Sequence, residues 1–176
     1  MTTTTGLSVN EFLAQVGEDQ RCELVRGEIV PVGSAKFRHD RVKINANEIF
    51  VLYVAQHRIG EVANGTMYQL SKTDALQPDL SILLNDQIPA VAPDDLLELA
   101  PALVFEVVSS ESAANLEWRI QLFLEKGTRA VLVAFTDSRS LRIFEPSGLG
   151  RLVRGEQKVE IDFLSGFSVS ASRFFE

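Results

Sequence analysis

Residues Leu103–Val108, with the sequence LVFEVV, form a nearly continuous apolar run that carries a single carboxylate, Glu106. A second run, Ala130–Phe135 (AVLVAF), follows it, and the segment 112–126 between them has apolar residues at helical spacing. Short apolar runs of this kind predict strands that are covered on both faces of a sheet. The strand–helix–strand order predicts that the two strands are parallel and joined by a right-handed crossover.

The longest predicted helix precedes these strands. From Phe37 to His57 the chain has no Pro or Gly, its apolar residues recur at helical spacing, and Gly60 is expected to end the helix. Ser8 and Glu11 have the spacing of a capping box, so a short first helix is expected over residues 9–16. Between these helices, two short strands are expected to form a hairpin.

Further strands are expected over residues 61–70, 80–84, 141–145 and 151–153. No internal repeat, linker or low-complexity segment interrupts the pattern, and 176 residues are enough for one hydrophobic core. The chain is therefore expected to be one domain, residues 1–176, of the α/β or α+β class, with a mixed central sheet flanked by helices.

Composition narrows the class of protein. A hydrophobic content of 45% and a charged content of 23% are typical of a globular protein, and no apolar run approaches the ~20 residues that span a bilayer. The single cysteine, Cys22, excludes an internal disulfide, and the N-terminus lacks the features of a signal peptide, so a cytoplasmic protein is expected. The net charge of −7 argues mildly against a surface devoted to nucleic acid. The basic cluster 36–43 is interpreted as the solvated start of the long helix.

Two carboxylates lie at the edges of apolar strands. Asp79 directly precedes Leu80–Leu84, and Glu106 lies within Leu103–Val108. Burying an acid is costly unless its charge is compensated, and a divalent cation is a common compensation. Two such acids on neighbouring strands could hold one magnesium ion, which most often serves phosphate chemistry. The alternative is that one or both acids hydrogen-bond to neighbouring backbone or pair with an arginine.

Several short motifs follow one another in a recognisable order. They are ELVRGE at residues 23–28, His39 at the start of the long helix, QPD at 77–79 and FEVVS at 105–109, followed by a helix and an apolar strand. In this order and spacing the chain resembles, over nearly its whole length, the Uma-two family of restriction endonucleases, a branch of the PD-(D/E)XK nuclease superfamily. The resemblance implies a restriction-endonuclease-like core with a metal site at the strand edges.

The resemblance also implies roles for individual residues. Asp79 and Glu106 would be ligands of Mg²⁺ or Mn²⁺, helped by a backbone carbonyl near Val107, and Glu23 could reach the same site. His39 matches the histidine that commonly begins the long helix, although a histidine in this position could equally hydrogen-bond locally. The implied reaction is hydrolysis of phosphodiester bonds in DNA, in which the metal ion polarises the phosphoryl group.

The sequence departs from the family pattern at the catalytic lysine. The superfamily places this lysine two residues after the glutamate, where this chain has Val108. In the family it resembles, the lysine usually comes from the following helix, four residues after an aspartate. The matching positions here are Asn115 and Arg119. Arginine supplies positive charge but cannot plausibly lose a proton. Two hypotheses therefore stay open. One is a magnesium-dependent endonuclease of weakened activity, with Arg119 in place of the lysine; the other is a catalytically degenerate module that keeps the fold for binding or assembly.

Other hydrolase and metal classes are not indicated. The absence of a Gly-x-Ser-x-Gly motif argues against a serine hydrolase, and the absence of a glycine-rich loop argues against a phosphate-loop enzyme. One cysteine and two histidines far apart in sequence argue against a zinc site. DNA is the expected partner, and no membrane association is expected. A homodimer is considered because the apolar pair Phe174–Phe175 could lie at a subunit interface.

Overall fold

The computed structural model describes residues 6–17, 20–34, 36–88, 96–108, 113–148 and 150–176. In these ranges the chain has an α/β fold, with a mixed central sheet flanked by helices as the sequence predicts. The first half contains α1 (Val9–Gln15), β1 (Cys22–Val25), β2 (Glu28–Pro31), α2 (Phe37–His57), β3 (Gly60–Asn64), β4 (Tyr68–Gln69), β5 (Ala75–Leu76) and β6 (Leu80–Leu84). The second half contains β7 (Leu103–Val108), α3 (Ala113–Glu125), β8 (Ala130–Phe135), β9 (Ser140–Phe144), β10 (Gly150–Arg154), β11 (Lys158–Glu160), β12 (Ser168–Ser170) and a 3-10 turn (Ala171–Phe175).

Six strands form the central sheet, in the order β10-β9-β8-β7-β6-β3. The pair β7 and β8 is parallel, which confirms the prediction, and the other neighbouring pairs in this sheet are antiparallel. Side chains alternate between the two faces, so Phe105 and Val107 pack with α2 while Val104 packs with α3. Glu106, two residues after Val104, therefore faces the α3 side.

Helix α2 covers one face of this sheet, and α3 covers the other. The inner face of α2 buries Val42, Ala46, Phe50 and Val54. The observed bounds Phe37–His57 match the predicted helix, but the residue that caps its C-terminal end is not Gly60. Arg58, in the left-handed conformation with φ 53°, caps the helix. Gly60 instead begins β3, where an added Cβ would lie 1.9 Å from the carbonyl oxygen of Leu83.

A second sheet, in the order β2-β1-β5-β4, carries the N-terminal part of the chain. The predicted hairpin of β1 and β2 is present, as is the predicted capping box at the start of α1. Leu24 of β1 packs in a cluster with Val9 and Phe12 of α1. Because side chains alternate along a strand, Glu23 points away from α1.

The predicted strand over residues 61–70 is two strands in different sheets. Gly65 has φ 60°, and the chain turns there from β3 of the central sheet towards β4 of the second sheet. The short strands β5 and β11 were not predicted. Among the described residues, none of the helices combines the length and hydropathy that crossing a bilayer requires.

The C-terminal aromatic pair lies in the core. Phe174 and Phe175 are 0% and 9% exposed. The ring of Phe174 stacks on that of Phe105, with centroids 5.8 Å apart, and meets Phe50 of α2 edge-on at 6.0 Å. The expectation that this pair lies at a subunit interface is therefore wrong, because it closes the core beneath α2.

Candidate active site

A cleft of about 540 Å³ opens where the second sheet, the start of α2, the end of β7 and helix α3 meet. All the site residues predicted from the sequence line it: Glu23, His39, Asp79, Glu106 and Arg119. They come from β1, α2, the segment before β6, β7 and α3. Their convergence from separate elements makes this cleft the candidate active site.

Arg119 is placed in the cleft by the packing of α3. The helix was predicted over 112–126 and is described over Ala113–Glu125; residue 112 lies outside the described residues. Its predicted apolar face is buried, including Leu116 and Phe123. Arg119 follows Leu116 by three residues and precedes Phe123 by four, so all three share one face of the helix. Packing this face against the sheet brings the guanidinium to Glu106 on β7.

Two ion pairs meet at Arg119. Its Nη1 donates a hydrogen bond to Glu23 Oε2, and its Nη2 donates one to Glu106 Oε1, each at 2.7 Å. The side chains of Arg119, Glu23 and Glu106 are only 9%, 10% and 13% exposed, respectively. Glu23 Oε1 also accepts the backbone N–H of Gln77 at 2.6 Å. The burial of Arg119 is possible because two carboxylates compensate its charge.

Asp79 is held by the backbone of β7 and by helix α2. Its Oδ2 accepts the backbone N–H of Val107 at 2.8 Å and lies 3.2 Å from His39 Nε2. His39 thus contacts a residue of another element rather than only its own helix. The hydrogen bond with Asp79 raises the pKa of His39, burial opposes the rise, and the charges of Asp79 and Asp40 add to it. The buried Nδ1 of His39 has no hydrogen-bond partner within the part of the chain that the structure describes.

The predicted site residues carry an excess of negative charge. When ionised, Glu23, Asp79 and Glu106 contribute three negative charges and Arg119 one positive charge, which leaves an excess of two when His39 is neutral and of one when it is protonated. Burial raises the pKa of Glu106 to about 7; the guanidinium of Arg119 opposes this rise, and the charge of Asp79 adds to it. A divalent cation would offset this excess and favour the ionised form of Glu106.

The oxygen donors fit a largely hydrated hard cation rather than a cage of protein ligands. Magnesium is typically bound through one or two carboxylates and keeps several waters, and Asp79 and Glu106 supply such a pair. No group of three or more His, Cys, Asp or Glu side chains within the described ranges is arranged as a metal site. The alternative to a metal ion, in which backbone groups or an arginine compensate the buried acids, is also present. Asp79 accepts a backbone N–H, and Glu106 pairs with Arg119. A metal ion at this site would share Glu106 with Arg119.

Further residues of interest border the same cleft. Val108 and Asn115, which stand where the family pattern has a lysine and an aspartate, both line it. Lys43 and Arg21 line it as well, and sequence reasoning did not place these two cations in the site. Lys43 follows His39 by one helical turn, and this i, i+4 spacing was the signal that could have found it.

The chain is similar to one protein family and to a solved structure. A family model described as "Uma2: Putative restriction endonuclease" matches residues 9–172. A crystal structure described as "a putative nuclease belonging to DUF820 from Anabaena variabilis ATCC 29413" has a TM-score of 0.86 at 18% sequence identity, covering 96% of this chain and 97% of that chain. At this identity the likeness establishes a common fold. No curated protein matches the chain.

Proposed function

Since the chain belongs to the Uma2 family, described as "Putative restriction endonuclease", we propose that it is a magnesium-dependent DNA endonuclease that hydrolyses phosphodiester bonds. The observation that carries the proposal is the convergence of the five residues Glu23, His39, Asp79, Glu106 and Arg119 on one open cleft. Because one fold can host many activities, the proposal rests on these side chains and not on the architecture alone.

Asp79 and Glu106 are the residues that would hold the metal ion, Mg²⁺ or Mn²⁺, since both ions prefer oxygen donors. When bound, such an ion polarises the phosphoryl group and lowers the pKa of a bound water. The N–H of Val107 and the ring of His39 contact Asp79, and Arg119 contacts Glu106. Outer contacts of this kind orient the carboxylates that bind a metal.

The cationic side chains of the cleft would contact the phosphate. Arg119 can stabilise negative charge that develops on the phosphoryl oxygens, but it cannot accept a proton. Both of its terminal nitrogens already donate to Glu23 and Glu106, so little of its charge is available to a phosphate, and we therefore propose that activity is weak. Lys43 and Arg21 would hold the neighbouring DNA backbone, as basic residues commonly do.

Nicking of supercoiled plasmid DNA by the full chain tests the proposal. We expect slow conversion to the open circular form with Mg²⁺ or Mn²⁺, and none when EDTA removes the metal. Asp79→Asn is the matched control for contaminating nuclease, because it removes one ligand charge and preserves the side-chain shape. Equal nicking by the wild type and by Asp79→Asn would reject the proposal.

A second candidate is a catalytically degenerate module that keeps the fold for binding or assembly. The observation that favours it is the replacement of the family lysine, with Val108 at one position and a doubly paired Arg119 at the other. This candidate predicts that the wild type cuts no faster than Asp79→Asn with either metal. It also predicts that the chain still binds DNA or a protein partner.

A further inference from the structure

Helix α2 carries apolar side chains on two opposite faces. Its inner face packs in the core, as described above. Its outer face carries four apolar side chains that are 79%, 65%, 42% and 64% exposed: Phe37, Ile44, Val51 and Leu52. Helices at the surface of a globular protein normally present polar residues to solvent, so the outer face of α2 requires an explanation.

The exposed apolar residues lie along one side of the helix, with the exposed Arg41 and Glu48 between them. Phe37, Ile44 and Val51 are seven residues apart, and in an α-helix this spacing drifts by only ~20° per step, so the three side chains lie nearly in line. Leu52 lies about 100° around the helix from Val51, on the side of Arg41 and Glu48. Single exposed apolar residues are ordinary, but an aligned set along one helix is typical of an interface.

We propose that this stripe (Phe37, Ile44, Val51 and Leu52) is the contact surface of a homodimer in which two copies of α2 pack antiparallel about a two-fold axis. The axis passes close to Ile44, so that the two Ile44 side chains meet. The proposal is independent of the nuclease activity, because it rests on surface packing and not on the cleft.

The stripe is complementary to itself in this arrangement. When two antiparallel helices are centred between residues 44 and 45, Phe37 of one copy lies opposite Leu52 of the other. In the same register, Arg41 lies opposite Glu48 of the partner subunit, and both residues are exposed on one flank of the stripe. The two-fold axis repeats each contact. One register thus gives two apolar pairs and two pairs of opposite charge, as an isologous interface requires.

The size of the stripe suits a dimer of moderate affinity. Its four side chains expose on the order of 400 Å² of apolar surface, comparable to the largest patch of a typical monomer. Two copies would cover roughly twice that area, and the flanking polar residues bring the total towards the ~1,200–2,000 Å² of a stable interface. A partner with many phosphate groups would gain nothing from these apolar side chains.

The proposed interface leaves the cleft accessible. At 100° per residue, His39 lies about 200° around the helix from Phe37, and Lys43 lies on the same side as His39. Both of these residues line the cleft. Asp40 also lines it and lies about 60° from Phe37, so the interface would border the cleft at Asp40 and leave His39 and Lys43 uncovered. A dimer through the outer face of α2 would therefore carry two open clefts.

Sedimentation velocity of the full chain at micromolar concentration tests the proposal. We expect a dimer for the wild type and a monomer for Ile44→Glu, because a charge at the centre of the stripe would be buried twice. Leu152→Glu is the matched control, since Leu152 is 51% exposed on β10, away from α2, and this variant should remain dimeric. Circular dichroism checks that both variants are folded. A monomeric wild type, as expected if another protein covers the stripe, or a folded Ile44→Glu that is still dimeric, would overturn the proposal.

A charge exchange tests the antiparallel register. Glu48→Arg should weaken the dimer at least about tenfold, because it places like charges opposite each other across the interface. Arg41→Glu combined with Glu48→Arg should restore much of the lost affinity. The single change Arg41→Glu is less informative, because Arg41 Nε also donates to the backbone oxygen of Glu176 at 2.8 Å. A double variant that associates no better than Glu48→Arg would contradict this register.

Discussion

Arg119 of helix α3 joins two carboxylates from different sheets, because it hydrogen-bonds to Glu23 of the second sheet and Glu106 of the central sheet through separate guanidinium nitrogens. A planar guanidinium with several donors can span two carboxylates in this way, whereas the ammonium of lysine is a single compact charge. Arg119 therefore connects the two sheets at the cleft.

Replacing Arg119 by methionine should destabilise the chain. The substitution leaves Glu23 and Glu106 buried without their cationic partner, and breaking a buried pair in this way costs ~3–5 kcal/mol. Urea unfolding followed by circular dichroism, at one protein concentration for all variants, measures the change in the free energy of unfolding.

The matched control for this prediction is Arg38→Met. Arg38 pairs with Asp137 at 3.0 Å, but the two side chains are 71% and 90% exposed, so the loss should be below ~1 kcal/mol. If both variants lost the same free energy, the buried cluster around Arg119 would have no special role in stability.

Asp79 and Glu106 should bind Mg²⁺ or Mn²⁺ in preference to Zn²⁺, because they provide oxygen donors only. Asp79→Asn and Glu106→Gln should each weaken metal binding at least ~10-fold. Changing a residue that only contacts a metal ligand already lowers metal affinity by about this factor, and changing a ligand itself should lower it at least as much. Isothermal titration calorimetry gives the affinities. Asp162→Asn, at an exposed acid outside the cleft, should bind as the wild type does. Equal affinity in all four proteins would refute the metal site.

Restoring the family pair with Asn115→Asp and Arg119→Lys should raise the rate of DNA cleavage. The lysine ammonium cannot span both carboxylates as the guanidinium does, so its charge can be directed to the phosphate. One well-placed electrostatic contact is commonly worth ~10²–10³ in rate. Plasmid nicking with Mg²⁺ measures the gain, with Asp79→Asn in the same background as control. If the restored protein cut no faster than the wild type, Arg119 would not be the cause of the weak activity that we propose.

Truncating Phe123 to alanine should cost ~3–5 kcal/mol, because this side chain is fully buried between α3 and the sheet. Leu152→Ala, at a position that is half exposed, should cost much less. Chemical unfolding of both variants provides the comparison. A loss below ~1 kcal/mol for Phe123→Ala would contradict the packing that brings Arg119 to the cleft.

The elements that the sequence predicted well are those whose signal is long or strongly patterned. Helix α2 was predicted with its observed bounds because no Pro or Gly interrupts it. Strands β7 and β8 were predicted from continuous apolar runs. The short strands β5 and β11, of two and three residues, offer no periodicity to detect. The predicted strand over 61–70 failed at Gly65, because the turn there moves the chain to another sheet.

The partners within the site were harder to predict than its members. Asp79 and Glu106 stand out as acids at the edges of apolar strands, but nothing local shows that Arg119 is buried between Glu23 and Glu106. Those contacts span 96 and 13 residues of sequence, so only the packing of the two sheets and α3 creates them. Phe174 was misassigned for the same reason, since an apolar residue can lie in the core or at an interface.

The separation of Glu23 from Arg119 has a consequence for biosynthesis. At ~5–20 residues per second, the ribosome adds Arg119 roughly 5–20 s after Glu23. During that interval the carboxylate of the second sheet has no guanidinium to dock against, and the cleft cannot assemble. Chains that have not yet reached Arg119 therefore lack this cluster, and with it any activity that depends on it.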